Sequence, residues 1–462
     1  MSILVVSRER PHLLIAGIAL VLILSMVALR IPVTMVFVGL MVMLAAMIAL
    51  IRPEIGLHVL VFNAMVGLTH IVEMPSVGPF SAPVLIEALV LGAIFFQVAF
   101  LGRRVPLGTR QHLLLGLLAG WIFASVITGI QVGPMNFREY RNLFLVRLII
   151  FFIVSTLLSG LPQVKRLVVT LMVSNVGLLG VAAAVRLGYF GQQKITISQN
   201  LERTGALVQN PNELAFSLTT MLVLTLCAYL YVRSRALKAT LLVMAAANLF
   251  VSMSTLSRSG FISLCVVLLF LFFKLTRNVR AVVVMLLLAL GGWLMMPGAL
   301  FERFSKIDEV KDVDRLQIAR VGIAMTVAHP VLGVGLGNYE SVFREFNVSN
   351  LKRVTPSHNM YLDLTAQMGT PALLLYIAVF FITWRALRRM ESDLELEDRT
   401  RSFTYLFGLA IQAFFVNLAV FGMSGDVEFD YAAFVMLGMA LALLREHARQ
   451  KETARNGASG RN

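Results

Sequence analysis

At 462 residues, 58% hydrophobic and only 14% charged, with a mean hydropathy of +0.82, the chain has the composition of a polytopic membrane protein rather than a large soluble one. The net charge of +15 fits membrane topology and contact with anionic lipid, so no nucleic-acid partner is read from it. Cys227 and Cys265 both lie inside apolar runs, which excludes a disulfide framework and a Cys-based metal site.

The N-terminal SILVVSRERPHLLIAG carries no small-residue cleavage site after a short apolar stretch, so the first apolar run is read as a retained helix. Apolar runs near the about 20 residues that a bilayer core demands fall at 12–29, 31–51, 54–68, 83–101, 111–130, 143–159 and 165–185. Seven more follow at 212–232, 236–252, 260–273, 281–297, 371–384, 402–421 and 429–444. The fold class expected is an all-α membrane protein, a polytopic bundle of about 12–14 transmembrane helices with one large outer loop. Four segments are expected: a transmembrane bundle over 1–297, a loop with amphipathic helices and the polar segment expected to carry function over 298–370, C-terminal spans over 371–449, and a disordered cytoplasmic tail over 450–462.

With the N-terminus inside, 24 of the 40 Lys and Arg collect in short loops of one side, as the positive-inside rule expects, and both termini are cytoplasmic. The other 16 run against that rule. Eight are in the large loop, among them Arg315, Arg320 and Arg344; the rest, including Arg147, Arg203 and Arg258, stand at the outer helix edges. Charge held at a membrane face is costly unless it snorkels or is paired, so a surplus of arginine there suggests an anion. The planar guanidinium suits a phosphate or diphosphate. Arg258 is flanked by Ser257, Ser259 and Gly260, small residues that let a ligand approach a helix start.

Within 314–371, Asp314 and Gln317 form a possible capping box, with Arg315 in the first turn of a helix that ends at Pro330. Leu316, Ala319, Ile323 and Val327 recur at near-helical spacing, which lays this helix on the membrane face. Gly333, Gly335 and Gly337 then alternate; they permit a concave row of backbone N–H groups, or serve an ordinary loop turn. His358 follows Pro356 and Ser357, so Ser357 can cap a helix with His358 in its first turn, where the helix N-terminus keeps the ring neutral and able to accept a proton. The alternative is that His358 merely bonds a neighbouring carbonyl. The acidic run Asp426, Glu428 and Asp430 admits three readings: a divalent-cation site, a solvated loop, or pairing with an outer arginine. P-loop, zincin and serine-hydrolase signatures are absent from the sequence.

The blocks RTGALVQNPNELA (203–215), LSRSG (256–260), HPVLGVGLGNY (329–339) and SHNMYLDLTAQMGTPALLLY (357–376) resemble the O-antigen ligase and Wzy-type polymerase superfamily of bacterial envelope glycosyltransferases. The resemblance covers roughly 203–376 and rests on the order of the blocks on one membrane face. It implies a GT-C-like bundle in the bacterial inner membrane, transferring glycan from a polyprenyl (undecaprenyl) diphosphate carrier to an acceptor hydroxyl on the periplasmic face, without nucleotide sugar, metal or other cofactor. Carried over by block, His358 is the catalytic base and Arg203, Arg258 and Arg315 bind the diphosphate; Arg320, Gly333, Gly335 and Asn359 are further candidates. Direct displacement inverts the anomeric carbon. The partners implied are the lipid-linked glycan donor, a lipid or glycan acceptor such as lipid A core, and membrane lipids. A ligase and a polymerase both fit; so, in a different class, does a transporter or flippase for an anionic lipid-linked glycan, which would need arginines but no base. No inverted pair of broken apolar helices is found in the two halves.

Overall fold

A computed structural model describes residues 52–66, 82–102, 108–187, 196–198, 201–203, 211–276, 309–347, 354, 356–394 and 402–459. Apolar runs become helices because, without water to satisfy the backbone, a chain in lipid must bond its N–H and C=O groups internally. In chain order these are α1 (Pro53–Val66), α2 (Ala82–Leu101), α3 (Arg110–Thr128), α4 (Pro134–Glu139), a π-helical turn (Tyr140–Leu145) that runs directly into α5 (Val146–Leu157), and α6 (Leu161–Arg186). A short antiparallel hairpin follows, β1 (Thr196–Ser198) with β2 (Leu201–Arg203), Thr196 facing Arg203. Then come α7 (Pro211–Tyr231), α8 (Arg235–Ser254), α9 (Arg258–Thr276), α10 (Glu309–Ala328), α11 (Tyr339–Val342), α12 (Met360–Met368), α13 (Thr370–Asp393), α14 (Phe403–Phe421) and α15 (Tyr431–Ser459).

Among the described residues, eight helices are long and apolar enough to cross a membrane: α3, α6, α7, α8, α9, α13, α14 and α15. The chain is thus a multi-pass, all-α membrane protein. The runs expected at 54–68, 83–101 and 143–159 correspond to α1, α2 and α5, while those at 12–29, 31–51 and 281–297 lie outside the described residues. α14 is the hub, buried along nearly its whole length against α7, α9, α13 and α15. Two polar groups knit it there: Asn417 Nδ2 donates to Thr220 Oγ1 at 3.0 Å and to the Phe216 carbonyl at 3.1 Å, and Ser263 Oγ donates to Asn417.

The bundle has two chemically distinct ends. At one, Lys274 and Arg388 both meet Glu391, at 2.6 and 3.2 Å, and Lys451 meets Asp393 at 2.9 Å. Arg445 and Arg449 reach the carbonyls that end α5, Arg445 donating to Ser155 O and Leu158 O and Arg449 to Ser159 O. All these basic residues belong to the set read as cytoplasmic. Gln450, where the tail was expected to lose order, instead lies within α15, which continues to Ser459. Good helix formers (Ala, Gln, Lys, Glu, Arg), the ties to Asp393 and the Gln450 to Glu446 bond carry it on.

α10 also differs in register from the expected capping box. It opens at Glu309, so Asp314 and Arg315 lie in its second turn, because the chain before Asp314 is already helical. Its Leu316, Ile323 and Val327 are exposed while Ile318, Val321 and Met325 are buried; the apolar stripe read from the sequence thus faces away from the protein, as a membrane-facing stripe would.

Candidate active site

Toward the other end of the bundle, glycines bring the four sequence blocks together in two pairs. Gly333, Gly335 and Gly369 adopt φ of +66°, +101° and +81°, the left-handed region open to glycine. A Cβ on Gly333 would meet the Gln367 carbonyl carbon at 2.3 Å, and one on Gly369 the Val331 oxygen at 1.9 Å. The 329–339 loop therefore lies directly on the C-terminal end of α12. Gly333 N–H donates to His329 O, Val334 N–H to Ala366 O, Gly335 N–H to Gln367 O and Gly337 N–H to Gln367 Oε1. The N–H groups of Gly333 and Gly335, candidates for an anion cradle, are spent on the protein itself, and these glycines serve backbone approach.

The LSRSG block is placed in the same way. Ser257 caps α9, its Oγ accepting from Gly260 N–H at 3.1 Å, so Arg258 is the first helical residue. A Cβ on Gly260 would come within 2.4 Å of the Ala215 Cβ, so α9 crosses the start of α7 at close range. That brings LSRSG beside PNELA of the 203–215 block. Arg203 ends β2; its backbone alone is described. Arg315 and Arg320 are both exposed on α10, and the positive charge of Arg315 is felt at His358.

His358 is not in a helix. The N-cap of α12 is Asn359, whose Oδ1 accepts from Tyr361 N–H and Leu362 N–H while its Nδ2 donates to Met423 O at 3.1 Å. Asn359 thus fastens α12 to the 422–430 turn. Ser357, expected as the cap, stands two residues too early; its Oγ instead accepts the Asn359 N–H at 3.1 Å. His358, between them, is forced to φ +50°, a conformation that costs a non-glycine residue on the order of 1–3 kcal/mol and is characteristic of functional positions. This places its half-exposed ring against the 422–430 turn.

There Nδ1 donates to Asp426 Oδ2 at 3.0 Å. This hydrogen bond holds the His358 basicity above the usual imidazole range, with burial and Arg315 opposing and the charges of Asp426 and Asp363 assisting. The expectation that a helix N-terminus would keep the ring neutral is corrected: His358 precedes the cap, and a carboxylate, not a helix dipole, sets its proton affinity. With Nδ1 committed to Asp426, Nε2 is left as the acceptor.

The remaining acidic residues resolve individually. Asp430 Oδ1 accepts from Ala432 N–H at 2.8 Å and caps α15, and it feels the charge of Arg147. Arg147 Nε donates to Phe429 O at 3.0 Å, with its guanidinium 4.2 Å from the Tyr431 ring centre. Glu428 is buried opposite Asp363 of α12, and burial lifts both carboxyls, Asp363 to about 7 and Glu428 well above the usual range. The sequence reading singled out 426–430 but not its partners, since His358 and Asp426 are 68 positions apart. Asp363 was missed altogether. The only local signal was its i, i+4 spacing to Gln367, whose Nε2 donates to Asp363 Oδ2 at 3.0 Å.

Beside this site runs an apolar cleft of about 390 Å³, beginning at Met360 and Tyr361 and walled by Tyr376, Phe380, Trp384 and Phe415. Phe381, also on its wall, is exposed on the outer face of α13.

Residues 239–377 match the family model described as O-antigen ligase. The match spans three of the four blocks quoted above and bears out the superfamily resemblance. No curated protein matches the chain significantly.

Proposed function

The chain carries a domain of the O-antigen ligase and Wzy-polymerase superfamily, and from that premise we propose that it is an outer-face glycosyltransferase acting on a polyprenyl-diphosphate-linked glycan. The observation that carries this reading is the His358–Asp426 pair, held at a strained backbone position two residues before Met360, where the lining of an apolar cleft begins. Binding alone needs no base. A histidine whose Nδ1 is anchored to a carboxylate and whose Nε2 remains available has the arrangement of a general base.

In the reaction, Nε2 of His358 takes the proton of the acceptor hydroxyl as that oxygen bonds to the anomeric carbon. The bond from the anomeric carbon to the diphosphate oxygen breaks, and the diphosphate leaves on its lipid with the electron pair. Asp426 stabilises the imidazolium so formed. Arg315, whose charge already reaches His358, and Arg258, at the first position of α9, would neutralise charge on the leaving diphosphate; Arg203 would join them from β2. The apolar cleft would take the start of the isoprenoid chain. Attack opposite the leaving group inverts the anomeric carbon. The site end of the bundle would face the periplasm of a bacterial inner membrane, with both termini cytoplasmic. The ligase reading stands ahead of polymerase, with lipid A core as acceptor.

The test is glycan transfer by purified protein in EDTA, given polyprenyl-diphosphate glycan with either lipid A core or a second carrier-linked glycan. Wild type should give product and His358→Ala should lose about 10²- to 10⁴-fold while still binding the carrier. The acceptor that reacts separates ligase from polymerase. Full transfer by His358→Ala would remove it as the base, and carrier binding without transfer to either acceptor would favour a transporter.

A further inference from the structure

Asp363 and Glu428 take no part in the reaction just described, yet they are the carboxyls held furthest from water at this end. Each residue is 8% exposed. Asp363 stands in the first turn of α12 and Glu428 in the 422–430 turn, and their carboxyls lie within hydrogen-bond reach of each other. Asp363 Oδ2 is satisfied by Gln367. Asp363 Oδ1 and Glu428 Oε2 are buried with no hydrogen-bond partner; the Ser357 hydroxyl beside Asp363, which favours its charged form, gives its one hydrogen to the Asn359 carbonyl at 3.0 Å. Two bare carboxylates in this position would each lack a hydrogen for the contact and would repel. One proton repairs both faults, since a protonated carboxyl donates to its ionised neighbour.

We propose that Asp363 and Glu428 share a single proton, and that this proton is the clasp that fastens α12 to the 422–430 turn and so keeps Asp426 within reach of His358. Both are positioning residues. The turn is tied to α12 at its other points by neutral bonds, Asn359 Nδ2 to Met423 O and Met360 N–H to Gly422 O. Apart from the His358–Asp426 bond itself, the carboxyl pair is therefore the tie that pH can undo. The titratable groups facing it are Asp426 and His358 at the site, Tyr339 of α11, which feels Asp363, and Tyr376 of α13, whose Oη donates to Glu428 O at 2.8 Å. The charge of Asp426 pushes the pair further toward the protonated form, in the same direction as burial. Loss of the shared proton leaves like charges buried face to face, which drives the turn from α12 and loosens Asp426.

The kinetic consequence rests on the reading of His358 as the base; the shared proton does not. Two measurements keep them apart. Infrared spectra of the purified full-length protein in detergent should show the carbonyl stretch of a protonated carboxyl below neutral pH. That band should fade as pH rises and be absent from the difference position in Asp363→Asn/Glu428→Gln, where amides replace both acids. In the transfer assay, wild type should lose activity on the alkaline side. The single variants Asp363→Asn and Glu428→Gln, whose amide donates without being able to ionise, should move that loss upward by at least about one pH unit. Asp363→Ala should lower kcat at every pH with little change in the donor KM. Overturning results are the lack of any infrared difference between wild type and the double variant, or an alkaline limb unmoved in both amide variants. If wild type transfers to no acceptor, the proposed function fails and the infrared band alone decides the clasp.

Discussion

At the scale of the residue, His358 shows how a single backbone angle places a reactive group. Its φ of +50° sets it outside the helix that begins after it, with its ring bonded to Asp426. Because that hydrogen bond raises the proton affinity of His358, Asp426→Asn should lower it, so the acid limb of a transfer–pH profile should move to lower pH. The same change leaves a weaker and less well oriented base, so the plateau rate should fall by about 10²-fold. An acid limb that stays in place would disconnect Asp426 from the titration. Asp363 gives a second pH dependence, in stability. Its folded pKa of about 7 lies above the ordinary 3.8, so the folded protein holds the proton more tightly across that window. Stability from this group is greatest below the window and declines as pH rises through it. Thermal unfolding in detergent should follow that slope, and Asp363→Asn should flatten it.

At the scale of the element, the site is a seam between α12, the glycine loop before it and the turn that follows α14. Sequence spacing made 357–371 legible as a cap, a short helix and a second helix start, and the elements are there: α12 ends at Met368 and α13 begins at Thr370. The cap was misplaced by two residues because Ser and Asn are both good N-caps, and the choice fell to Asn359 through its second bond, to Met423. Asn359→Ala should cost about 1 kcal/mol through the lost cap, and more where the Met423 carbonyl is left unbonded. Gly369→Ala should be harsher. It demands φ of +81° from alanine and drives Cβ into the Val331 oxygen, so a loss of several kcal/mol, on the order of 3 or more, is expected in denaturation measurements. A Gly369→Ala protein as stable as wild type would show that the loop yields without cost.

At the scale of the whole molecule, the two ends of the bundle divide the labour. The basic end is held by ion pairs with little exposure, Lys274 and Glu391 being 14% and 11% exposed at their side chains. Removing the shared acid, as in Glu391→Met, strands the Lys274 ammonium and should cost about 3–5 kcal/mol, whereas replacing Lys274 and Glu391 together by apolar residues should restore much of it. The site end should lie outside the membrane. In a background with Cys265, the exposed cysteine, replaced by serine, Met423→Cys should react with an impermeant thiol reagent on intact spheroplasts. Glu452→Cys should react only after the membrane is opened; the reverse pattern would invert the topology proposed.

The sequence by itself determined the class of the molecule and most of its spans, because hydropathy is a summed property that survives ignorance of neighbours. It also marked His358, the glycines and the ordered blocks that name the superfamily, since these are local patterns of residue type. What only the tertiary structure decided is which acid meets which base. Asp426 with His358, Glu428 with Asp363 and Asp430 with the start of α15 depend on where the turn after α14 comes to rest against α12. Charge interactions fall off within a few ångströms in space but carry no trace along the chain, so a pair separated by 68 residues is invisible until the helices between them are packed.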